Sequence, residues 1–303
     1  MHLLHTLQIA ILALIQGAAE LLPVSSSAHV ILAQKLMGMD PSRPENVFLL
    51  VMLHTGTMFA VIVYFWPRWR RLLSAPTSVA GAPSPRWHYL KMIVLATTCT
   101  GAVGLGLKFF IEEVVFVRMM GYPKGEVEDL FKDLPLIAAA LASVGVFILL
   151  AGFWEHTNPT RQRGMPNGRL TTRASIWIGL IQGLCLPFRG FSRSGATIST
   201  GLVCGVSRTL TEDFSFALAV VLTPPVQVYS LSKLLRDRSL SSATLAETLL
   251  PGLVGMAFSF AAGLVALRFL SAVLEKGRWG YFGYYCLGFA IVVLAAHFLF
   301  SGM

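Results

Sequence analysis

The chain has 303 residues, 55% hydrophobic and only 13% charged, with a mean hydropathy of +0.67. Soluble domains carry about 25% charged residues, so this composition excludes a soluble globular protein and indicates a polytopic membrane protein. Its apolar runs are continuous rather than alternating, against a β-barrel, and the net charge of +9 is read as basic loops beside anionic lipid, with no nucleic acid partner.

Leu3–Leu22 is apolar, yet Gln16 and Glu20 sit in it four residues apart, on one face of a helix. No Lys or Arg precedes the Ile9–Ile15 run, so the segment is read as part of the mature protein and not as a signal peptide. Pro23 cannot continue the helical hydrogen bonding, and Ser25-Ser26-Ser27 offers caps for a second helix over about Ala28–Met37. Helix, break and helix in so short a stretch predict a re-entrant hairpin, with a plain spanning helix over Leu3–Leu22 as the competing reading.

Six spans are expected: Val47–Trp66, Tyr89–Leu107, Leu134–Phe153, Phe214–Leu231, Leu250–Leu270 and Tyr281–Phe300. The first closes at Trp66-Pro67, and the fourth is read as interrupted at Pro224-Pro225. Lys108–Asp133 reads as a long acidic connection holding Glu112, Glu113, Glu126, Glu128, Asp129 and Asp133. Asn158–Arg173 reads as a polar linker. Beyond it, Ala174–Pro187 is too short for a comfortable span and breaks at Pro187-Phe188-Arg189-Gly190, after which Ser194–Gly205 resumes as a second hairpin. Cys99, Cys185, Cys204 and Cys286 are scattered without a CxxC pair and read as small buried hydrophobes.

The two halves, 1–157 and 158–303, resemble each other. Ile15-Gln16-Gly17 matches Ile181-Gln182-Gly183, and the same spacing of 166 residues sets Ser26 opposite Ser192. Three spans separate the hairpins, so the duplicates enter from opposite faces: an all-α fold of six transmembrane helices plus two re-entrant hairpins in an inverted-topology repeat. Counting Lys and Arg places the Arg-rich loops, Arg68–Arg86, Arg161–Arg173, Arg208 and Lys276–Arg278, in the cytoplasm. The first hairpin then opens to the outside.

Ionisable groups inside membrane segments are costly and mark function. Glu20 is one; Arg193, in Gly190-Phe191-Ser192-Arg193-Ser194-Gly195-Ala196-Thr197, is another. A guanidinium grips phosphate oxygens in bidentate fashion, and Ser192, Ser194, Thr197 and the amides of a helix start add donors. A serine attacking phosphorus needs a base and its leaving group an acid, and Glu20 and His29 are the available pair beside Ser26. An Arg193–Glu20 pair that merely joins the hairpins is the plainer alternative. His54, mid-span beside Thr55 and Thr57, reads as an interhelical hydrogen-bond partner, and Arg268 as snorkelling.

Gln16-Gly17-xx-Glu20-xx-Pro23-xx-Ser26-xx-His29, with the Arg193 motif, Glu212–Phe216 and Leu53–Thr57, resembles the bacterial undecaprenyl-diphosphate phosphatase family, bacitracin-resistance proteins of the BacA/UppP type. The resemblance implies hydrolysis of undecaprenyl diphosphate to the monophosphate lipid carrier of cell-wall synthesis, at a site open to the periplasmic side of the bacterial inner membrane. It implies Ser26 as nucleophile, Glu20 and His29 as catalytic partners and Arg193 as the diphosphate-binding arginine. Gln16, Ser25, Ser27, Ser192, Ser194 and Thr197 are implied on the substrate. Mg²⁺ or Ca²⁺ near Glu20 is implied as cofactor, and a homodimer is the assembly considered. Two positions depart from the pattern: Gln16 stands where the family often has Glu, and Arg189 where the motif usually begins Pro-Gly. A polyprenyl-phosphate flippase using the same repeat is the alternative function, an inactive paralogue a third, and attack by His29 or water instead of Ser26 stays open.

Overall fold

The computed structural model describes residues 2–40, 43–74, 85–119, 133–157, 170–236 and 242–301. Among them are ten α-helices and no strand: α1 (His2–Leu21), α2 (Ser26–Leu36), α3 (Pro44–Leu73), α4 (Pro85–Phe109), α5 (Leu134–Thr157), α6 (Thr172–Cys185), α7 (Arg193–Val203), α8 (Arg208–Arg236), α9 (Ser242–Glu275) and α10 (Gly280–Ser301). A π-helical segment, Phe110–Met119, extends α4. Six helices are long and apolar enough to cross a bilayer: α3, α4 with its extension, α5, α8, α9 and α10. They fall where the sequence places the six spans. The protein is thus an all-α, multi-pass membrane protein. Helices α2, α6 and α7 have 11, 14 and 11 residues; at about 1.5 Å per residue they fall short of a ~30 Å hydrocarbon core.

Three details differ from the sequence reading. Helix α3 runs through Pro67 to Leu73 instead of closing at Trp66, and α8 runs unbroken through Pro224-Pro225. Each proline removes one N–H donor, a loss that membrane helices tolerate within an otherwise continuous helix. Lys108–Asp133 is not all connection. Its first part is helical through Met119, because Phe109–Ile111 and Val114–Val117 prolong the apolar run, and Glu112 and Glu113 face Lys108 and Arg118 at 3.8 Å each. Glu126, Glu128, Asp129 and most of the Asn158–Arg173 linker lie outside the described residues.

The chain forms two compact units, each drawing on both sequence halves. The first comprises Met1–Leu22, Ser26–Trp66 and Ala219–Ala272. Its core joins Ile9, Leu12 and Ala13 of α1, Val30 and Ala33 of α2, and Leu49 and Leu53 of α3. Helix α1 lies directly on α9: a Cβ on Gly17 would stand 2.5 Å from the Ser259 carbonyl oxygen. Apolar lipid gives helices little hydrophobic reason to associate, so close backbone approach at small residues and polar bonds do that work. Here Ser259 Oγ donates to the Leu53 carbonyl at 2.9 Å and Tyr64 Oη to Ser271 Oγ at 2.9 Å.

The second unit comprises Pro23–Ser25, Pro67–Leu218 and Val273–Met303. Tyr89, Met92 and Ala96 of α4 pack with Ala174 and Ile178 of α6 and Phe214, Ala217 and Leu218 of α8. Helix α6 lies on α4 as closely as α1 on α9: a Cβ on Gly183 would meet the Thr100 carbonyl at 2.8 Å, and Thr100 Oγ1 donates to the Gly179 carbonyl at 3.0 Å. Buried acids are paired, Glu212 and Asp213 with Arg68 at 3.2 and 3.0 Å and Glu155 with Arg208. All four cysteines are free; Cys185 and Cys286 are buried as expected, whereas Cys99 and Cys204 are half-buried.

Candidate active site

The first cluster lies in the first unit. Helical periodicity puts Gln16 and Glu20 one turn apart on α1, and the helix closes with the Leu22 amide on the Ala18 carbonyl at 3.1 Å. Pro23 follows. Ser25 then takes φ +65°, a left-handed conformation that costs a side-chain-bearing residue roughly 1–2 kcal/mol. With the chain so turned, Ser26 is the first residue of α2, two residues before the sequence-based start and within the serine run.

Two donors from two helices address one carboxylate oxygen, and a histidine of a third helix stands beside it. Ser26 Oγ donates to Glu20 Oε2 at 2.5 Å, Gln16 Nε2 donates to it at 3.2 Å, and His54 Nε2 of α3 stands 3.6 Å away. His54 Nδ1 is 2.8 Å from the Leu50 carbonyl. A carbonyl only accepts, so Nδ1 carries a hydrogen and Nε2 is the atom turned to the carboxylate. Gln16 and Ser25 are buried; Glu20, Ser26, Ser27 and His29 are half-buried.

His54 is the residue the sequence reading underrated. Its hydrogen bond runs within α3 to Leu50 and not between helices as expected, while across the helices it stands 3.6 Å from the site's own carboxylate. The available signal was an ionisable side chain in the middle of an apolar span. His29 lies three residues after Ser26 on α2.

The second cluster lies in the second unit. Helix α6 is capped by Thr171, whose Oγ1 accepts the Ala174 amide at 3.1 Å, and ends at Cys185. Gly190 makes the reversal: its φ is +98°, and a Cβ there would stand 2.3 Å from the Ile137 carbonyl oxygen of α5. Gly190→Ala is therefore expected to destabilise the protein by several kcal/mol, through both a left-handed backbone and a steric overlap. Loss of the monodisperse peak in detergent gel filtration measures it.

Ser192 caps α7, accepting the Gly195 amide at 3.2 Å, and its Oγ lies 3.4 Å from Ser194 Oγ. Thr197 Oγ1 donates to the Arg193 carbonyl at 2.8 Å and lies 2.6 Å from Ser215 Oγ on α8. Ser192 and Thr197 thus hold the first turn of α7 in place, and half-buried Arg193 is its first residue, where backbone N–H groups and the helix dipole favour an anion. Arg189 is half-buried in the preceding turn. Cys185, closing α6, is buried. The break of the first hairpin belongs to this unit too. Pro23 packs beside Gly195 in the first turn of α7, and Cys286 Sγ reaches the Pro23 carbonyl at 3.3 Å.

Among the described residues no group of three or more His, Cys, Asp or Glu stands close enough together to hold an ion. Glu20 offers a carboxylate, with the Ser26 hydroxyl and the Gln16 carboxamide at hand. That oxygen set suits a hard divalent cation when a diphosphate supplies the remaining ligands.

The family described as "Bacitracin resistance protein BacA" matches residues 9–292. The chain is 51% identical over 301 residues to "Undecaprenyl-diphosphatase 2" of Acinetobacter baylyi, covering 97% of this chain and 98% of that relative. It is 32% identical over 281 residues to "Undecaprenyl-diphosphatase 2" of Burkholderia ambifaria and 33% identical over 281 residues to "Undecaprenyl-diphosphatase 1" of Burkholderia pseudomallei, with 91% of each chain covered.

Proposed function

The chain belongs to the bacitracin resistance protein BacA family, and on that footing we propose how its residues carry out the family's reaction. It is an undecaprenyl-diphosphatase: it removes the terminal phosphate of undecaprenyl diphosphate, returns the monophosphate lipid carrier to cell-wall synthesis and so confers resistance to bacitracin. The observation that carries the assignment of roles is the 2.5 Å hydrogen bond from Ser26 Oγ to Glu20 Oε2.

Ser26 Oγ attacks the terminal phosphorus as its proton passes to Glu20. The P–O bond to the bridging oxygen breaks, and undecaprenyl phosphate leaves. Water then attacks the phosphoserine, the Ser26–phosphorus bond breaks, inorganic phosphate departs, and Ser26 recovers its proton from Glu20. Arg193, supported by the amides of α7, binds the diphosphate and stabilises the charge that develops on its oxygens. Ser25, Ser27 and Ser194 add hydroxyl donors, Ser192 and Thr197 hold the cradle, and His29 serves the leaving phosphate. Glu20, with the Gln16 carboxamide, would hold the Mg²⁺ or Ca²⁺ implied by the family together with the diphosphate. When bound, that cation neutralises phosphate charge.

Gln16 leaves the cluster with one carboxylate. An amide donates to Glu20 and orients it but takes no proton. The structural reason for expecting activity all the same is His54, which stands against Glu20 from α3. His54→Ala is expected to lower kcat by about tenfold with little change in KM, and His54→Gln, able to donate one hydrogen bond, to recover most of the loss. Phosphate release from a C15 prenyl diphosphate measures both.

The two hairpins form an inverted-topology repeat embedded in the bacterial inner membrane, the first opening to the periplasmic side. Supporting this, each hairpin packs through a glycine on a span from the other sequence half, Gly17 on α9 and Gly183 on α4. The same reciprocity suits a polyprenyl-phosphate flippase. Purified protein in detergent separates the two: phosphate release shows the hydrolase, and lipid binding without release favours transport.

A further inference from the structure

Gln182 is fully buried on α6, and neither atom of its carboxamide has a hydrogen-bond partner among the described residues. In a segment surrounded by lipid and apolar side chains, no bulk water makes up such a deficit, and unpaired amide groups there are costly. The corresponding residue of the first hairpin, Gln16, is equally buried but paired: its Nε2 donates to Glu20, four residues on. Four residues after Gln182 stands Leu186, which accepts nothing through its side chain. The duplicated glutamine therefore keeps its amide and lacks its acid.

The missing acceptor has a natural source. Gln182 lies in the buried stripe Ala174, Ile178, Gln182, Cys185, less than one turn from the end of α6. Helices α6 and α7 pack together as the two arms of one hairpin. An anion gripped by Arg193 at the start of α7 would lie at the same end of this hairpin as Gln182. We infer that Gln182 is a further substrate-binding residue, its carboxamide N–H donating to a phosphate oxygen of the diphosphate held by Arg193. This rests on the reading of Arg193 as the diphosphate grip. Because the amide is enclosed, the phosphate reaches it as the α6–α7 turn adjusts around the ligand, and binding, rather than chemistry, is the step that Gln182 serves.

The test uses purified full-length protein in detergent, with a C15 prenyl diphosphate as substrate and inorganic pyrophosphate as competitive inhibitor. Gln182→Leu fills the same volume without polar atoms. The expected result is a KM and a pyrophosphate inhibition constant each raised about tenfold or more, kcat changed far less, and a melting temperature equal to or above that of wild type. Gln182→Glu, which sets a negative charge against the anion, raises both constants further. Unchanged constants with a raised melting temperature would overturn the inference and mark Gln182 as a site for internal water. Should the leucine variant fail to fold, Gln182→Met gives the same readout with a more adaptable side chain. Arg193→Ala in the same assay separates the two levels: a pyrophosphate constant unaffected by Arg193→Ala strikes the reading of Arg193, whereas one altered by Arg193→Ala but not by Gln182→Leu strikes the present inference alone.

Discussion

Ser26→Ala is expected to lower kcat for release of phosphate from a prenyl diphosphate by at least about 10³-fold, with KM nearly unchanged. The hydroxyl is the only group removed, and it donates directly to the carboxylate that takes its proton. Glu20→Gln is expected to fall by a similar factor, because the amide preserves the shape of the site but accepts no proton. The two losses do not add. The double variant should resemble either single one, since a nucleophile and its base act as a unit. Thermal melting separates catalytic loss from unfolding, and all three variants should melt close to wild type. A Ser26→Ala protein that retains a tenth of wild-type activity would remove Ser26 from the mechanism.

Arg193→Ala is expected to reduce kcat/KM by about 10²–10³-fold. Arg193→Lys restores the charge without the planar fork and should recover only part of the loss. The effect should fall on both parameters, because the guanidinium meets the diphosphate in the ground state and its developing charge in the transition state. Steady-state kinetics over a range of prenyl diphosphate concentrations gives the split. A lysine variant with wild-type parameters would reduce the role of Arg193 to that of a point charge.

Much of this arrangement is legible in the sequence for identifiable reasons. Spans of about 20 apolar residues must satisfy their own backbone, so α3, α4, α5, α8, α9 and α10 follow from hydropathy alone. The break after α1 is announced by Pro23 and the serine run, and the break after α6 by Pro187 and Gly190. Spacing puts Gln16 and Glu20 on one face of a helix, and so predicts that they lie together.

What the sequence conceals depends on contacts between distant segments. His54 faces Glu20 because α3 packs against α1, and no local pattern distinguishes that histidine from one bonded elsewhere. Helix α8 also runs on through Pro224-Pro225, where local propensity argues for a break. Thr197 reads from sequence as a phosphate donor, yet its hydroxyl bonds the Arg193 carbonyl and meets Ser215, a partner 18 residues away. The orphaned carboxamide of Gln182 becomes visible only once burial and every nearby donor and acceptor are known.

The central claim is that Ser26 attacks phosphorus and forms a phosphoserine, and the stereochemical course at the transferred phosphorus tests it most directly. A prenyl diphosphate whose terminal phosphorus is made chiral with sulfur and oxygen isotopes is turned over in isotopically labelled water, and the configuration of the released thiophosphate is determined. Two successive in-line displacements, first by Ser26 and then by water, predict net retention. Net inversion would mean a single attack by water, and would contradict the assignment of Ser26 as the nucleophile.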